Sequence, residues 1–164
     1  MIKLLVLDVD GCMTNGAITY TQHEDEIKSF HVKDGLAIVT WIRMGRMAAI
    51  ITGRKSKIVE RRAKELGIKY FFQGVNNKQQ KLEEILEKEN LTFDNVAVIG
   101  DDLNDYHMLK SAKRSFTPAD GAAYIQKSVQ TVLSRKGGDA CVREMIDILV
   151  EEENLQEEFL KLWL

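Results

Sequence analysis

The sequence predicts an α/β fold in which an open parallel sheet lies between two layers of helices. Four short, nearly uninterrupted apolar runs, 2–7, 47–51, 70–72 and 96–99, alternate with segments of helical periodicity. Such runs are typical of strands that are buried on both faces. Regular alternation of strands and helices favours a three-layer arrangement with parallel strands. We therefore expect the carboxyl ends of the strands to line one crevice.

The composition predicts one domain, residues 1–164. A chain of 164 residues, 45% hydrophobic and 29% charged, can bury one ordinary core but not two. Its formal net charge of -2 gives no general attraction to nucleic acid. The first apolar run is too short for a signal sequence, and no run approaches the about 20 apolar residues of a membrane span. We therefore expect a soluble, cytoplasmic protein that binds neither nucleic acid nor membranes.

The first predicted strand leads directly into Asp8-Val9-Asp10-Gly11. Side chains two positions apart on an extended chain leave the same face, and Gly11 lets the backbone turn just afterwards. The carboxylates of Asp8 and Asp10 can therefore converge on one cation or phosphate. This placement favours a catalytic role for the acid pair.

Residues 12–34 interrupt the alternation and are predicted to form a small β-hairpin insert after the first strand. Asn15-Gly16 is a turn signal of the hairpin type. The residues that suggest short strands are Ile18, Tyr20, Ile27 and Phe30. An insert of this length is too short to form a covering domain.

Apolar stripes predict the helices that follow. The stripes are Ile38, Trp41 and Ile42 in the first helix, Ile58, Val59, Ala63 and Leu66 in the second, and Leu82, Ile85 and Leu86 in the third. The last segment, 151–164, begins with three acids and ends in an apolar tail. An apolar tail must pack somewhere, either on its own domain or on a neighbouring subunit.

Each later strand also ends near side chains that are suited to chemistry. They are Thr52, Gly53 and Arg54 after the second strand, Lys78 after the third, and Asp101, Asp102 and Asp105 after the fourth. Structural alternatives exist, because Thr52 and Asp102 could cap helices. Lys78 could be a solvated lysine like Lys81, and Arg54 could pair with surface acids. Their joint placement at successive strand ends favours one shared site.

These groups suit phosphoryl transfer through an aspartate. Asp8 can attack phosphorus while Mg²⁺, held by Asp8, Asp101 and the backbone carbonyl of Asp10, neutralises the facing anions. Asp10 can protonate the leaving alkoxide and then activate water. Thr52 and Lys78 can bind the oxygens of the transferring group.

The chain resembles the haloacid dehalogenase superfamily, which has a Rossmann-like fold. The four superfamily motifs match Asp8-Val9-Asp10-Gly11, Thr52, Lys78 and Gly100-Asp101-Asp102-Leu103-Asn104-Asp105. Further blocks at 30–35, 50–54, 73–74, 137–138 and 142–144 resemble the capless 3-deoxy-D-manno-octulosonate 8-phosphate phosphatases along nearly the whole chain. Those enzymes hydrolyse a phosphorylated eight-carbon keto acid on the way to lipopolysaccharide.

This resemblance implies a Mg²⁺-dependent homotetramer in which the hairpin and the tail of one subunit close the active site of another. By position, the residues that would contact the sugar acid are Asp10, His31, Val32, Lys33, Asp34, Gly35, Gly53, Arg54, Arg62 and Lys78. A guanidinium such as that of Arg54 can grip a carboxylate with two hydrogen bonds. Asp102 and Asp105 would support the metal site. The chain departs from its relatives at Val39, where some of them carry a basic residue, and at Cys12-Met13.

Two alternatives remain. Close relatives act on nine-carbon keto sugar acid 9-phosphates, but they favour an acid where this chain has Arg54. A non-enzymatic phospho-switch domain also places Asp, Thr and Lys at parallel strand ends. In such a domain the phosphoacceptor lies on a strand in the middle of the sequence. Here the acid pair follows the first strand. An enzyme is therefore the favoured interpretation.

Overall fold

A computed structural model describes residues 1–164 as a six-stranded parallel sheet with helices on both faces. The strands are β1 (Leu4–Leu7), β2 (Thr19–Tyr20), β3 (Glu26–Ile27), β4 (Met47–Ile51), β5 (Tyr70–Phe72), β6 (Val96–Ile99), β7 (Arg114–Thr117) and β8 (Thr131–Val132). The sheet order is β5-β4-β1-β6-β7-β8, and β2 pairs only with β3. The predicted open three-layer parallel sheet is confirmed.

The central position of β1 determines which side chains meet. Leu7, its last residue, is in register with Ile50 of β4 on one side and Ile99 of β6 on the other. The residues that follow these three strands therefore leave the sheet at the same edge. Asp8 is consequently flanked by the segments that begin at Thr52 and Gly100.

The sequence analysis did not predict β7 and β8. β7 reads Arg114-Ser115-Phe116-Thr117 and so has one large apolar residue, and β8 has only two residues. Ser115 and Thr117 are nevertheless buried, because β7 lies between β6 and β8 in the sheet. Pairing with neighbours, rather than local hydrophobicity, stabilises these strands.

Seven helices flank the sheet. They are α1 (Val32–Arg43), α2 (Lys57–Glu65), α3 (Lys78–Glu89), α4 (Tyr106–Ser111), α5 (Ala123–Gln126), α6 (Cys141–Glu152) and α7 (Gln156–Lys161). One apolar cluster joins the sheet to α1, α2, α6 and α7, and a second joins it to α3, α4 and α5. None of these helices combines the length and hydrophobicity that crossing a membrane requires.

The insert contains an antiparallel hairpin, but its turn is not where the sequence pattern suggests. β2 and β3 pair Thr19 with Ile27, and the chain reverses around Glu24, which has a φ of 65°. Asn15-Gly16 instead forms a separate turn before β2, in which the Asn15 side chain accepts a hydrogen bond from the Ala17 amide at 2.9 Å. Ile18 and Phe30, expected in strands, lie outside them; Phe30 packs against the large core.

The carboxyl-terminal tail is only partly packed on its own chain. Phe159 of α7 is buried in the large core. Trp163 is half-exposed, and its indole Nε1 donates a hydrogen bond to Thr40 Oγ1 of α1 at 2.9 Å. Leu160, Leu162 and Leu164 remain exposed. Whether these side chains contact a neighbouring subunit stays a prediction.

Candidate active site

Asp8 lies buried at the end of the central strand β1, where a lysine of helix α3 contacts its carboxylate. Its backbone amide still donates to the Ile99 carbonyl at 3.1 Å, so β6 fixes its position. Lys78, the first residue of α3, donates to Asp8 Oδ1 at 2.5 Å and to Asp105 Oδ1 at 2.6 Å. All three side chains are almost inaccessible to water. The alternative of a solvated Lys78 is therefore wrong, whereas Lys81 is partly exposed and pairs with Glu84.

Burial governs the ionisation of this cluster. Loss of hydration raises the pKa of Asp8 well above its usual range; the Asp105 charge adds to this, and Lys78 opposes it. Burial by itself would lower the pKa of Lys78, but the carboxylates of Asp8 and Asp105 raise it above its usual value. Lys78 therefore stays charged. One ammonium can therefore compensate only one of these acids when they are ionised.

Asp101 joins Asp8 in a group of donor atoms that fits a divalent cation. Oxygen atoms of Asp8 and Asp101 and the Cys12 sulfur lie within 4.8 Å of one another. Burial raises the pKa of Asp101 to about 7, and the charges of Asp105 and Asp102 contribute. A side chain at Gly11 would collide with the Asp101 carboxylate, so glycine allows this approach.

The chemistry of the donor atoms favours magnesium bound through Asp8 and Asp101. Mg²⁺ prefers carboxylate and carbonyl oxygens. Burial, with the nearby charges of Asp8 and Asp101, raises the pKa of the Cys12 thiol, so this sulfur stays protonated. Cys12 is therefore a neutral wall of the site. The predicted contribution of the Asp10 backbone carbonyl stays a prediction.

The Asp10 carboxylate is held apart from that group by residues of the hairpin. Its Oδ1 accepts a hydrogen bond from Lys28, and its Oδ2 lies 4.0 Å from Arg54 Nε. Glu26 of β3 joins the two cations, because its Oε1 lies 3.3 Å from Lys28 Nζ and 3.1 Å from Arg54 Nη2. Asp10, Lys28, Glu26 and Arg54 thus form one charged network beside Asp8.

Hydrogen bonds within the network fix its charges. Bonds to Tyr20 and Glu26 raise the pKa of the Arg54 guanidinium. Burial would raise the pKa of Glu26, but hydrogen bonds, that from Arg54 foremost, lower it overall. Sequence reasoning missed Lys28 and Glu26. The available signal was two opposite charges two positions apart in a predicted strand, which places them on one face.

The helix-cap alternatives for Thr52 and Asp102 have opposite outcomes. Thr52 is buried at the end of β4, and the residue that caps α2 is Ser56, whose Oγ accepts from the Val59 amide. The cap alternative for Thr52 is therefore wrong. Asp102 does act as a cap, because its Oδ1 accepts from the Leu103 amide at 2.7 Å.

Asp105 is buried beneath the loop that carries Asp101, whereas Gly53 lies at the surface. Asp105 Oδ2 accepts from the Asp101 amide at 3.0 Å, so this buried acid shapes the loop that carries Asp101. This contact supports the predicted auxiliary role of Asp105. Gly53 is exposed, and its nearest neighbours include Val75 and Asn104.

The segment 31–35, expected to contact a ligand, divides into exposed and buried parts. The His31 ring accepts a hydrogen bond from the Lys33 amide at 3.2 Å and so caps α1. Val32 is 77% exposed, and Lys33 is also exposed. Asp34 is buried instead: its Oδ1 accepts from the Arg143 amide of α6 at 2.7 Å. Asp34 therefore joins α1 to α6, and its expected contact with a ligand stays a prediction.

The second carboxylate oxygen of Asp34 is buried without a hydrogen-bond partner. Burial raises the pKa of this carboxyl to about 6, even though the Arg143 amide and the charges of His31 and Arg62 lower it. Asp34 therefore weakens the fold when ionised.

Arg62 is packed between α1 and α2 rather than exposed like Arg61. A side chain at Gly35 would collide with the Arg62 guanidinium, so the glycine makes room for it. The guanidinium lies 5.7 Å from the centre of the Phe30 ring and 3.5 Å from Glu65. The alternative of an exposed helix cation is wrong, and the contact of Arg62 with a sugar acid stays a prediction.

Known proteins resemble this chain in sequence over nearly its full length. A family model described as haloacid dehalogenase-like hydrolase matches residues 73–145. The 3-deoxy-D-manno-octulosonate 8-phosphate phosphatase of Haemophilus influenzae is 36% identical over 158 residues, covering 96% of this chain and 88% of that protein. The protein of the same name from Escherichia coli K12 is 38% identical over 149 residues, covering 91% and 79%.

Solved structures resemble the fold closely. The crystal structure of the 3-deoxy-D-manno-octulosonate 8-phosphate phosphatase from Moraxella catarrhalis, in complex with magnesium, phosphate and KDO, has a TM-score of 0.95. It is 34% identical, and the match covers 99% of this chain and 94% of that one. The cobalt-bound phosphatase from Haemophilus influenzae has a TM-score of 0.87 at 37% identity, covering 92% and 88%.

Proposed function

The chain belongs to the 3-deoxy-D-manno-octulosonate 8-phosphate phosphatases, a family of haloacid dehalogenase-like hydrolases, and we propose that it hydrolyses this phosphate ester to the free sugar acid and phosphate. It is then a phosphoric monoester hydrolase in the synthesis of lipopolysaccharide precursors. The observation that supports this reaction most is the buried Asp8, which Lys78 holds by one oxygen beside Asp101.

Asp8 acts as the nucleophile. A carboxylate oxygen of Asp8 attacks phosphorus while the bond to the ester oxygen breaks, and the product is an aspartyl phosphate. Magnesium bound at Asp8 and Asp101 would supply the positive charge that lets the two anions approach. Lys78 and Thr52 bind oxygens of the transferring group, where fixed donors stabilise the transition state.

Asp10 moves the protons. As an acid it protonates the leaving alkoxide, and as a carboxylate it then takes a proton from water, whose oxygen attacks phosphorus and releases Asp8. The position of its side chain outside the group formed by Asp8, Asp101 and Cys12 supports this division of roles.

Arg54 is the proposed partner of the substrate carboxylate. In this structure Arg54 Nη2 pairs with Glu26 Oε1 at 3.1 Å, as the alternative of an acid partner expects, and the 41% exposure of the Arg54 side chain supports a further contact with a ligand. The exposed Val32 and Lys33 remain available for further contacts with a sugar acid. Arg54 also favours the eight-carbon substrate over nine-carbon 9-phosphates, whose phosphatases favour an acid at this position.

We also propose that the enzyme is a homotetramer with shared active sites and that it works in the cytoplasm. Three side chains of the hairpin, Ile18, Tyr20 and Ile27, are exposed together with Trp163 and Leu164 of the tail. Burial of such apolar surface against another subunit would stabilise an assembly. The two free thiols, Cys12 and Cys141, are in keeping with a reducing compartment.

Steady-state kinetics on a panel of phosphate esters test the proposed substrate. The panel contains 3-deoxy-D-manno-octulosonate 8-phosphate, a nine-carbon keto sugar acid 9-phosphate and 4-nitrophenyl phosphate, each measured with and without Mg²⁺. We expect the eight-carbon ester to have the highest kcat/KM and its turnover to require Mg²⁺. A higher value for the nine-carbon ester would change the substrate but keep the reaction. Stoichiometric phosphorylation without turnover would support the phospho-switch alternative.

A further inference from the structure

Lys28 is a buried cation to which the proposed reaction assigns no role. Its side chain is 1% exposed, although lysine is almost never buried without a partner. Its ammonium donates to Asp10 Oδ1 and lies 3.3 Å from Glu26 Oε1. Removing a charged amine from water is costly unless acids compensate it, and Asp10 and Glu26 do so here.

The contacts of Asp10 distinguish its two oxygens. Oδ1 is occupied by Lys28, whereas the cation nearest to Oδ2 is Arg54 Nε, at 4.0 Å, which is beyond hydrogen-bond distance. The Asp10 side chain is 20% exposed, so it can meet a ligand in the crevice. One oxygen of this acid is therefore anchored and the other is free.

The same arrangement holds the nucleophile. Lys78 of α3 occupies Oδ1 of Asp8, and the remaining oxygen is left for the attack on phosphorus. The two acids of the motif are thus each held by one buried lysine, which comes from α3 for Asp8 and from the hairpin for Asp10. Anchoring fixes the side-chain rotamer, and fixed geometry is what proton transfer to a positioned group requires.

We propose that Lys28 is a positioning residue that makes Oδ2 of Asp10 the oxygen that carries the catalytic proton. This inference rests on the proposed phosphatase reaction. In the first step the Oδ2 proton passes to the ester oxygen as its bond to phosphorus breaks and the Asp8–phosphorus bond forms. In the second step Oδ2 takes a proton from water as the water oxygen binds phosphorus and the Asp8–phosphorus bond breaks. Lys28 keeps its own protons throughout.

Substrates with different leaving groups distinguish a loss of Asp10 positioning from general damage to the active site. The alkoxide that leaves a sugar phosphate needs a proton, whereas 4-nitrophenolate leaves without one. In Lys28→Met we expect kcat for the sugar acid phosphate to fall about tenfold to a hundredfold, within the range of acid-base catalysis, while KM stays within about twofold. With 4-nitrophenyl phosphate, rapid mixing should show a burst of about one nitrophenolate per site, because only the second step still needs Asp10.

Matched variants complete the experiment. Lys64→Met removes a lysine whose partner, Glu60 at 2.8 Å, lies on the exposed face of α2, and it should keep the wild-type kinetics. Lys28→Gln keeps a polar side chain without the charge, although it is one bond shorter, and it replaces the methionine variant if that variant does not fold. A crystal structure of the folded variant should show the Asp10 carboxylate turned away from its wild-type orientation.

Three results would overturn the proposal: wild-type kcat in the Lys28 variant, an unmoved Asp10, or slow phenolate release with no burst. The last result would mean that the attack by Asp8 is also damaged. Failure of the proposed function is distinguishable, because it would appear as absent turnover of the sugar acid phosphate by the wild-type enzyme. The burst with 4-nitrophenyl phosphate does not depend on the identity of the natural substrate.

Discussion

At the residue scale, the site is built from buried acids that outnumber the cations beside them. Lys78 bridges Asp8 and Asp105, while Asp101 adds a further carboxylate near Asp8. The motif order predicts these residues, because each follows a strand. The network of Lys28 and Glu26 could not be predicted in the same way, since it depends on how the hairpin folds back over Asp10.

Asp10→Asn tests the proton-transfer role. The amide cannot give or take the catalytic proton, so we expect kcat to fall at least about a hundredfold. KM should change little, because the shape and polarity of the side chain are kept. Steady-state kinetics on the sugar acid phosphate provide the measurement, and near-native turnover would remove Asp10 from the mechanism.

Asp34→Asn tests the buried carboxyl between α1 and α6. The pKa is raised in the folded state to about 6 from an ordinary 3.8, so the folded protein holds a proton that the unfolded chain releases. The free energy of unfolding therefore falls as the pH rises from about 4 to about 6, by an amount on the order of 3 kcal/mol, and it stays low above that range. The asparagine variant lacks this loss and keeps an oxygen for the Arg143 amide.

Urea unfolding of both proteins between pH 4.5 and pH 8 measures this difference. We expect the variant to gain stability relative to the wild type as the pH rises, with most of the gain complete above pH 6. A difference that does not change with pH would show that Asp34 titrates normally in the folded protein.

At the element scale, the carboxyl ends of β1, β4 and β6 position the catalytic groups. Their apolar runs are distinctive enough to predict from the sequence, and so is the topological consequence that their ends meet. The turn of the hairpin was predicted wrongly, because Asn15-Gly16 makes a local turn against Gly138 instead. β7 and β8 were missed, because their stability comes from neighbouring strands.

The helix α7 offers a matched pair of substitutions. Phe159 is buried in the large core, whereas its neighbour Leu160 is exposed. Phe159→Ala should lower the free energy of unfolding by roughly 3–5 kcal/mol, the usual cost of truncating a buried phenylalanine. Leu160→Ala should change it by less than about 0.5 kcal/mol. Equal effects in urea unfolding would mean that α7 is not docked as described.

At the scale of the whole molecule, the exposed apolar side chains of the hairpin and the tail are the features that one chain leaves without a partner. Sequence patterns show that the tail is apolar but not which surface covers it. The structure buries Phe159 and leaves Leu164 97% exposed. Packing on its own chain is therefore shown for Phe159, and contact of the exposed residues with a neighbouring subunit stays a prediction.

Truncation of the tail tests its proposed role in assembly. Deletion of 155–164 should weaken assembly or activity, but it also removes buried residues. Deletion of 162–164 alone removes Leu162, Trp163 and Leu164, which are all exposed in part or in full. Sedimentation velocity should show weaker assembly of the shorter chain. An equally oligomeric and active protein would mean that the tail serves only its own subunit.

The central claim is that Asp8 is transiently phosphorylated during turnover of the sugar acid phosphate. Rapid-quench sampling with substrate labelled in the phosphate group measures the enzyme-bound and the free label over time. We predict that label appears first on residue 8, reaches at most one phosphate per site, and passes to free phosphate only when Mg²⁺ is present. Release of phosphate by an Asp8→Asn variant at the wild-type rate would contradict this account.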